Sequence, residues 1–85
     1  MLKIQRKANG DVVLTLAGRL DTDGIHELSS VMAAESAGRS IVLDLKDVVL
    51  VDRESVRFLR ASEGKGIAVR NCPAYVRAWM EREED

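Results

Sequence analysis

Ser40 to Leu45, Ser-Ile-Val-Leu-Asp-Leu, is a dense apolar run of strand length. Such a run belongs to a central strand covered on both faces, so the chain around it must supply a sheet and helices. Lys46-Asp47 interrupts the run, and Val48-Val49-Leu50-Val51 follows. Upstream, Asn9-Gly10-Asp11 is a turn signal between Leu2–Lys7 and Val12–Leu16, where alternation and β-branched residues predict a hairpin. Gly18-Arg19-Leu20 leads out of the second strand. Asp21 or Thr22 then caps a helix over roughly 23 to 36, with Ile25, Leu28, Val31 and Met32 on its apolar face and Gly38 as its stop.

Downstream the same logic repeats. Asp52 caps a second helix whose first turn holds Glu54 and Ser55, with Val56 and Leu59 at helical spacing and Gly64-Lys65-Gly66 as its end. Ile67-Ala68-Val69 predicts a short strand. Pro73 suits the first position of a third helix, with Tyr75, Val76, Trp79 and Met80 as its apolar stripe. Its acidic end, Glu81 to Asp85, has the wrong sign for a helix C-terminus and predicts fraying. The order is β-β-α-β-α-β-α. Strand–helix–strand connections demand parallel strands, so the fold class is α/β, a mixed four-stranded sheet with three helices. With 85 residues, the expectation is one domain over residues 1–85.

Composition removes several function classes. Thirteen basic residues against fourteen acidic ones give no global attraction for nucleic acid or an anionic membrane. No apolar run approaches the roughly 20 residues of a membrane span, and the N-terminus does not read as a secretory signal. The single Cys72 allows no internal disulfide and no multi-cysteine metal site. A cytoplasmic location is therefore expected. Asp21, Asp44, Asp47 and Asp52 are the acids that a sheet of this type gathers near its strand ends, but no adjacent acidic pair follows the first strand, and no metal or cofactor is expected. His26, the only histidine, falls on a polar helix side with no nucleophile to serve. Asp44 sits inside an apolar strand and must find hydrogen-bond donors or a base.

Gly18-Arg19-Leu20-Asp21, then Ile41-Val42-Leu43-Asp44-Leu45, then Val51-Asp52 opening a helix, resemble a STAS domain, the family of anti-sigma factor antagonists and the cytoplasmic tails of sulphate transporters. The resemblance runs from about residue 10 to residue 80, and the chain lacks the further strand and helix usual in the family. It implies a regulatory, non-enzymatic module that binds a protein, such as a serine kinase-like anti-sigma factor, through the start of the second helix. In the antagonists that helix opens Asp-Ser-Ser-Gly and the second serine is phosphorylated. Here it reads Asp52-Arg53-Glu54-Ser55, so Glu54 stands at the switch position. This departure resembles a short stand-alone subgroup with an Asp-Arg-Glu start.

A glutamate carries one fixed charge where a phosphoserine carries about −1.5 to −2 and is reversible. Two readings of Glu54 follow: a permanent negative docking point, or a carboxylate that only stabilises its helix. On the first, Asp52, Arg53, Glu54, Ser55 and Arg57 contact the partner without dependence on phosphorylation, and Arg19 lies outside the contact. Ser55 itself is expected to turn its hydroxyl back to the cap rather than toward a kinase. Arg53, Arg57 and Arg60 share a helix face, either a solvated surface or a basic strip for an acidic protein. Tyr75 and Trp79 are core residues or the anchors of an interface, including a homodimer. The resemblance also implies an alternative class, a sensor of a nucleotide or lipid.

Overall fold

A computed structural model describes residues 2–35 and 40–83. Among them lie β1 (Leu2–Asn9), β2 (Asp11–Leu20), α1 (Thr22–Ala33), β3 (Ile41–Val51), α2 (Arg53–Gly64), β4 (Ala68–Arg70) and α3 (Ala74–Arg82). The predicted order and mixed sheet are as observed: the strands lie in the order β1-β2-β3-β4, with β1 antiparallel to β2 and the other pairs parallel. Gly10 turns the hairpin at φ +84, a left-handed value that glycine adopts without a side-chain clash.

β1, β2 and β3 are longer than the sequence suggests, β4 keeps three residues but is shifted by one, and β3 shows why. Lys46-Asp47 does not break it. Thr15 lies opposite Asp44 and Ala17 opposite Asp47, so β3 carries one extra residue there. Gly18 opposite Val48 and Arg19 opposite Leu50 mark a second. Each bulge resets the alternation of faces. The buried Leu43, Leu45, Val48 and Val51 therefore stay on the core side although their spacing passes from two to three. Asp44 stabilises the first bulge: its Oδ1 accepts the Lys46 N–H at 3.0 Å and the Asn71 Nδ2 at 3.1 Å. Asn71 reaches it from a left-handed backbone, φ 55, which asparagine tolerates better than most residues. Burial pushes the Asp44 carboxyl up. The Asn71 and Lys46 hydrogen bonds, with the charges of Lys46 and Arg70, outweigh this and hold it below the ordinary aspartate value.

The strands β2, β3 and β4 step across the sheet in one direction, and connections of one hand place both crossover helices on one face. The core agrees. Leu14, Leu16, Leu43 and Leu45 meet Leu28 of α1, Val56 and Leu59 of α2, and Val76 and Met80 of α3 in one cluster. The opposite sheet face carries Lys3, Gln5, Thr15, Ala17 and Asp47 around a shallow concavity. The expectation that β3 is covered on both faces by other layers is thus corrected. Val42 stands outside the core cluster and is buried on the bare face, between its register neighbours Val13 and Ala68. Cross-strand neighbours suffice to cover a valine in a central strand.

Three helix ends also differ from expectation. α1 ends at Ala33 rather than near 36, with Ala34 as its cap, and the proposed stop Gly38 lies outside the described residues. Pro73 is the N-cap of α3, extended at φ −56 and ψ 144, and its carbonyl accepts the Val76 and Arg77 N–H groups. Of the end of α3 expected to fray, Glu84 and Asp85 lie outside the described residues, while Glu83 leaves the helix in extended backbone with its side chain turned toward α2. At the other edge, α1 approaches β1 so closely at Gly24 that a Cβ there would meet Leu2 Cβ at 3.2 Å.

Candidate functional site

The carboxyl ends of β2 and β3 deliver the two crossover helices side by side. Asp21 caps α1 by accepting the Gly24 N–H at 3.0 Å, and Asp52 caps α2 by accepting the Ser55 N–H at 2.9 Å. Both caps are extended, as a residue must be whose side chain reaches forward to the third helical N–H. The strand-to-helix turn is tied across the sheet, because the Asp52 N–H donates to the Leu20 carbonyl at 3.3 Å. Arg19, Leu20, Asp21, Leu50, Val51 and Asp52 line a shallow groove of about 290 Å³ between the two helix starts. Arg19, left outside the contact in the sequence reading, is part of this groove.

The Asp52–Ser55 tip divides into an outward and an inward half. Glu54 is exposed and, among the described residues, makes no hydrogen bond or ion pair. Arg53 and Arg57 are exposed as well. Ser55 is fully buried, its Oγ 2.6 Å from both the Leu20 carbonyl and Asp52 Oδ1, two acceptors for one hydroxyl proton. The hydroxyl faces the cap and offers a kinase no access in this fold. Beside the tip stand Val49, 73% exposed, and Leu50, 53% exposed. The second bulge places them there by turning two consecutive apolar residues out of the core.

Tyr75 and Trp79 part company. Tyr75 is exposed, and its hydroxyl donates to the Val49 carbonyl at 3.3 Å, which adds the ring to the apolar patch. Trp79 is half-buried against the core and donates its indole N–H to Glu83 Oε2 at 3.2 Å. The other Glu83 oxygen accepts from Arg53 Nε at 2.8 Å and Arg57 Nε at 3.1 Å. The hydrogen bond and charge of Arg53, with Arg57 and Trp79, hold the Glu83 carboxyl below the ordinary glutamate value against its partial desolvation. The three-arginine strip is therefore not one solvated face: Arg60 is half-buried, with Nη1 out of contact with solvent and unpartnered among the described residues.

The family profile described as Mlab, STAS domain matches residues 4–83. The chain belongs to this family. Two solved structures share the fold of this STAS domain. One is a crystal structure of Mglu, 22% identical, with a TM-score of 0.59, covering 85% of this chain and 19% of that one. The other is an uncharacterized protein of the DUF3478 family with a SpoIIAA-like fold from Shewanella loihica PV-4, 11% identical, with a TM-score of 0.57, covering 80% of this chain and 65% of that one. The chain thus spans about a fifth of the first and less than two thirds of the second. No match is found among curated proteins.

Within the STAS domain, the acids considered for a metal site are dispersed. Asp21 and Asp52 serve as caps at the groove, Asp44 serves the bulge, and Asp47 lies on the bare sheet face. Among the described residues no group of three or more His, Cys, Asp or Glu side chains is arranged to hold a metal. His26 is exposed, and burial pushes the half-buried Cys72 thiol up, away from the reactive thiolate. No helix among the described residues is long and apolar enough to cross a membrane. Sequence reasoning missed the Val49–Leu50–Tyr75 patch and the Glu83 contacts. The first depends on a bulge that alternation cannot show, and the second on a fold-back of some thirty residues in sequence.

Proposed function

We propose that this STAS domain is a non-enzymatic interaction module of the anti-sigma factor antagonist type, acting in the cytoplasm, whose docking surface is the start of α2 with the adjoining Val49–Leu50–Tyr75 patch. The observation that carries the reading is the orientation of Glu54 and Ser55: the charged side chain points to solvent without a partner among the described residues, while the hydroxyl is buried. A helix start favours an anion through its free N–H groups and dipole, and here that anion is part of the chain. Binding at this tip is accordingly independent of a kinase. The apolar patch supplies the area that a single charge does not, since interface energy concentrates in desolvated aromatic and aliphatic anchors. A serine kinase-like anti-sigma factor is the class of partner that the family resemblance suggests.

The test uses the partner recovered from native extract with the wild-type chain. Glu54→Ala is expected to weaken its calorimetric affinity about tenfold, about 1.4 kcal/mol, with only the small loss of stability, about 0.3–1 kcal/mol, of a first-turn carboxylate. Unchanged affinity in Glu54→Ala removes the tip as the docking point. The groove beside Leu20, Leu50 and Val51 favours a second reading, a small-ligand sensor. A nucleotide or lipid that binds only the folded chain must raise its melting temperature, and a flat response across a panel eliminates that reading.

A further inference from the structure

The exposures in the Glu83 cluster run opposite to expectation for a stray surface ion pair. The Glu83 side chain, near the end of the chain, is only 11% exposed, while the arginines that hold it are 66% and 47% exposed. Both carboxylate oxygens are engaged, one by two guanidinium Nε groups and one by the Trp79 indole. Among the described residues neither guanidinium uses its Nη nitrogens in a hydrogen bond. Each arginine thus keeps an open donor edge on which a second carboxylate can land before the first departs. α3 itself is fixed by buried Val76 and Met80 and by the two-pronged Arg77–Glu63 pair at 2.8 and 2.9 Å. Release of Glu83 requires only its terminal turn to open, and helix ends open locally without the rest of the fold.

We infer that Arg53, Arg57 and Trp79 form a seat for a carboxylate of a protein partner, and that Glu83 fills it in cis until an acidic segment of that partner displaces it. The inference rests on the docking reading above and specifies what the surface accepts. With Glu83 seated, its carboxylate is shared by both arginines. With Glu83 displaced, the tip becomes more positive by one unit charge beside the Val49–Leu50–Tyr75 patch. Glu83 therefore sets the charge the tip presents. A planar two-oxygen acceptor is what the seat holds, and a chain of net charge −1 has no general pull on a polyanion such as nucleic acid.

The chain's single tryptophan lies in the seat and reports its occupancy. Labelled hexaglutamate, titrated into the full chain and followed by anisotropy, is expected to saturate, with a matching change in Trp79 emission when the unlabelled peptide is used. Glu83→Ala should bind roughly threefold tighter or more, because the tethered competitor is gone, and its emission should start at the displaced value. Glu27→Ala, an exposed site on α1 with the same charge change, controls for net charge. Arg53→Ala combined with Arg57→Ala should abolish saturable binding while circular dichroism stays native. The proposal is overturned if Glu83→Ala binds no tighter than Glu27→Ala, or if binding survives loss of both arginines. Neither measurement involves Glu54. Failure here with Glu54-dependent partner affinity intact removes the latch alone, and the converse removes the docking reading alone.

Discussion

Ser55 is held at the third position of α2 by its oxygen. With no exposed surface and two acceptors at 2.6 Å, its hydroxyl stitches the α2 cap to the end of β2. Ser55→Ala is expected to cost about 0.5–1.5 kcal/mol by urea denaturation, since the Leu20 carbonyl keeps the Asp52 N–H and Asp52 keeps the Ser55 backbone N–H. Ser55→Asp, by contrast, buries a second carboxylate against Asp52 and should unfold much of the population. The sequence disclosed the cap and the inward hydroxyl, because both follow from a short polar side chain at the third position of a helix. It did not disclose the pairing of Glu83, because nothing local distinguishes an acid that frays from one that finds two arginines across the fold.

At the level of elements, β3 decides what the tip looks like. Its first half, Ile41 to Leu45, was readable as a central strand because apolar density is a local property. Its second half was not, because counting by two fails once a residue is added to one strand and not to its neighbour. The two bulges keep Val48 and Val51 in the core and turn Val49 and Leu50 outward together. If that patch is interface rather than incidental surface, Leu50→Ser should leave stability within about 0.5 kcal/mol and yet weaken the partner complex measured by calorimetry. A large fall in melting temperature would instead mark Leu50 as structural. The helix layer was legible in outline from caps and periodicity, and only the exact ends moved.

For the whole molecule, the Glu83 contact ties α3 to α2 through a carboxylate that acid neutralises. Glu83 is faced by the charged Arg53 and Arg57, and its carboxyl is depressed chiefly by the Arg53 hydrogen bond. A group whose folded value is lowered contributes stability that is complete above its unfolded value and disappears as pH falls through the folded one. Trp79 emission should accordingly show a transition below the ordinary glutamate range, ahead of global unfolding by far-ultraviolet circular dichroism. Removing Arg53 should move that transition upward. An emission change that coincides with global unfolding at every pH would mean that the contact has no independent opening. The two-layer plan was predicted in its order of elements. That the two crossover helices share one side follows from the direction in which the strands advance, a property of topology rather than of any segment, and α3 joins them through Val76 and Met80.

The bare side of the sheet has a practical corollary. The chain has four lysines: Lys3, Lys7 and Lys46 border the concavities of that side, and Lys65 ends α2 at the pole opposite its cap. No primary amine among these side chains borders the groove. Coupling through lysine amines would therefore moor the molecule by its back or by the far pole of α2 and leave the helix starts facing the bulk, an orientation obtained without engineering a tag.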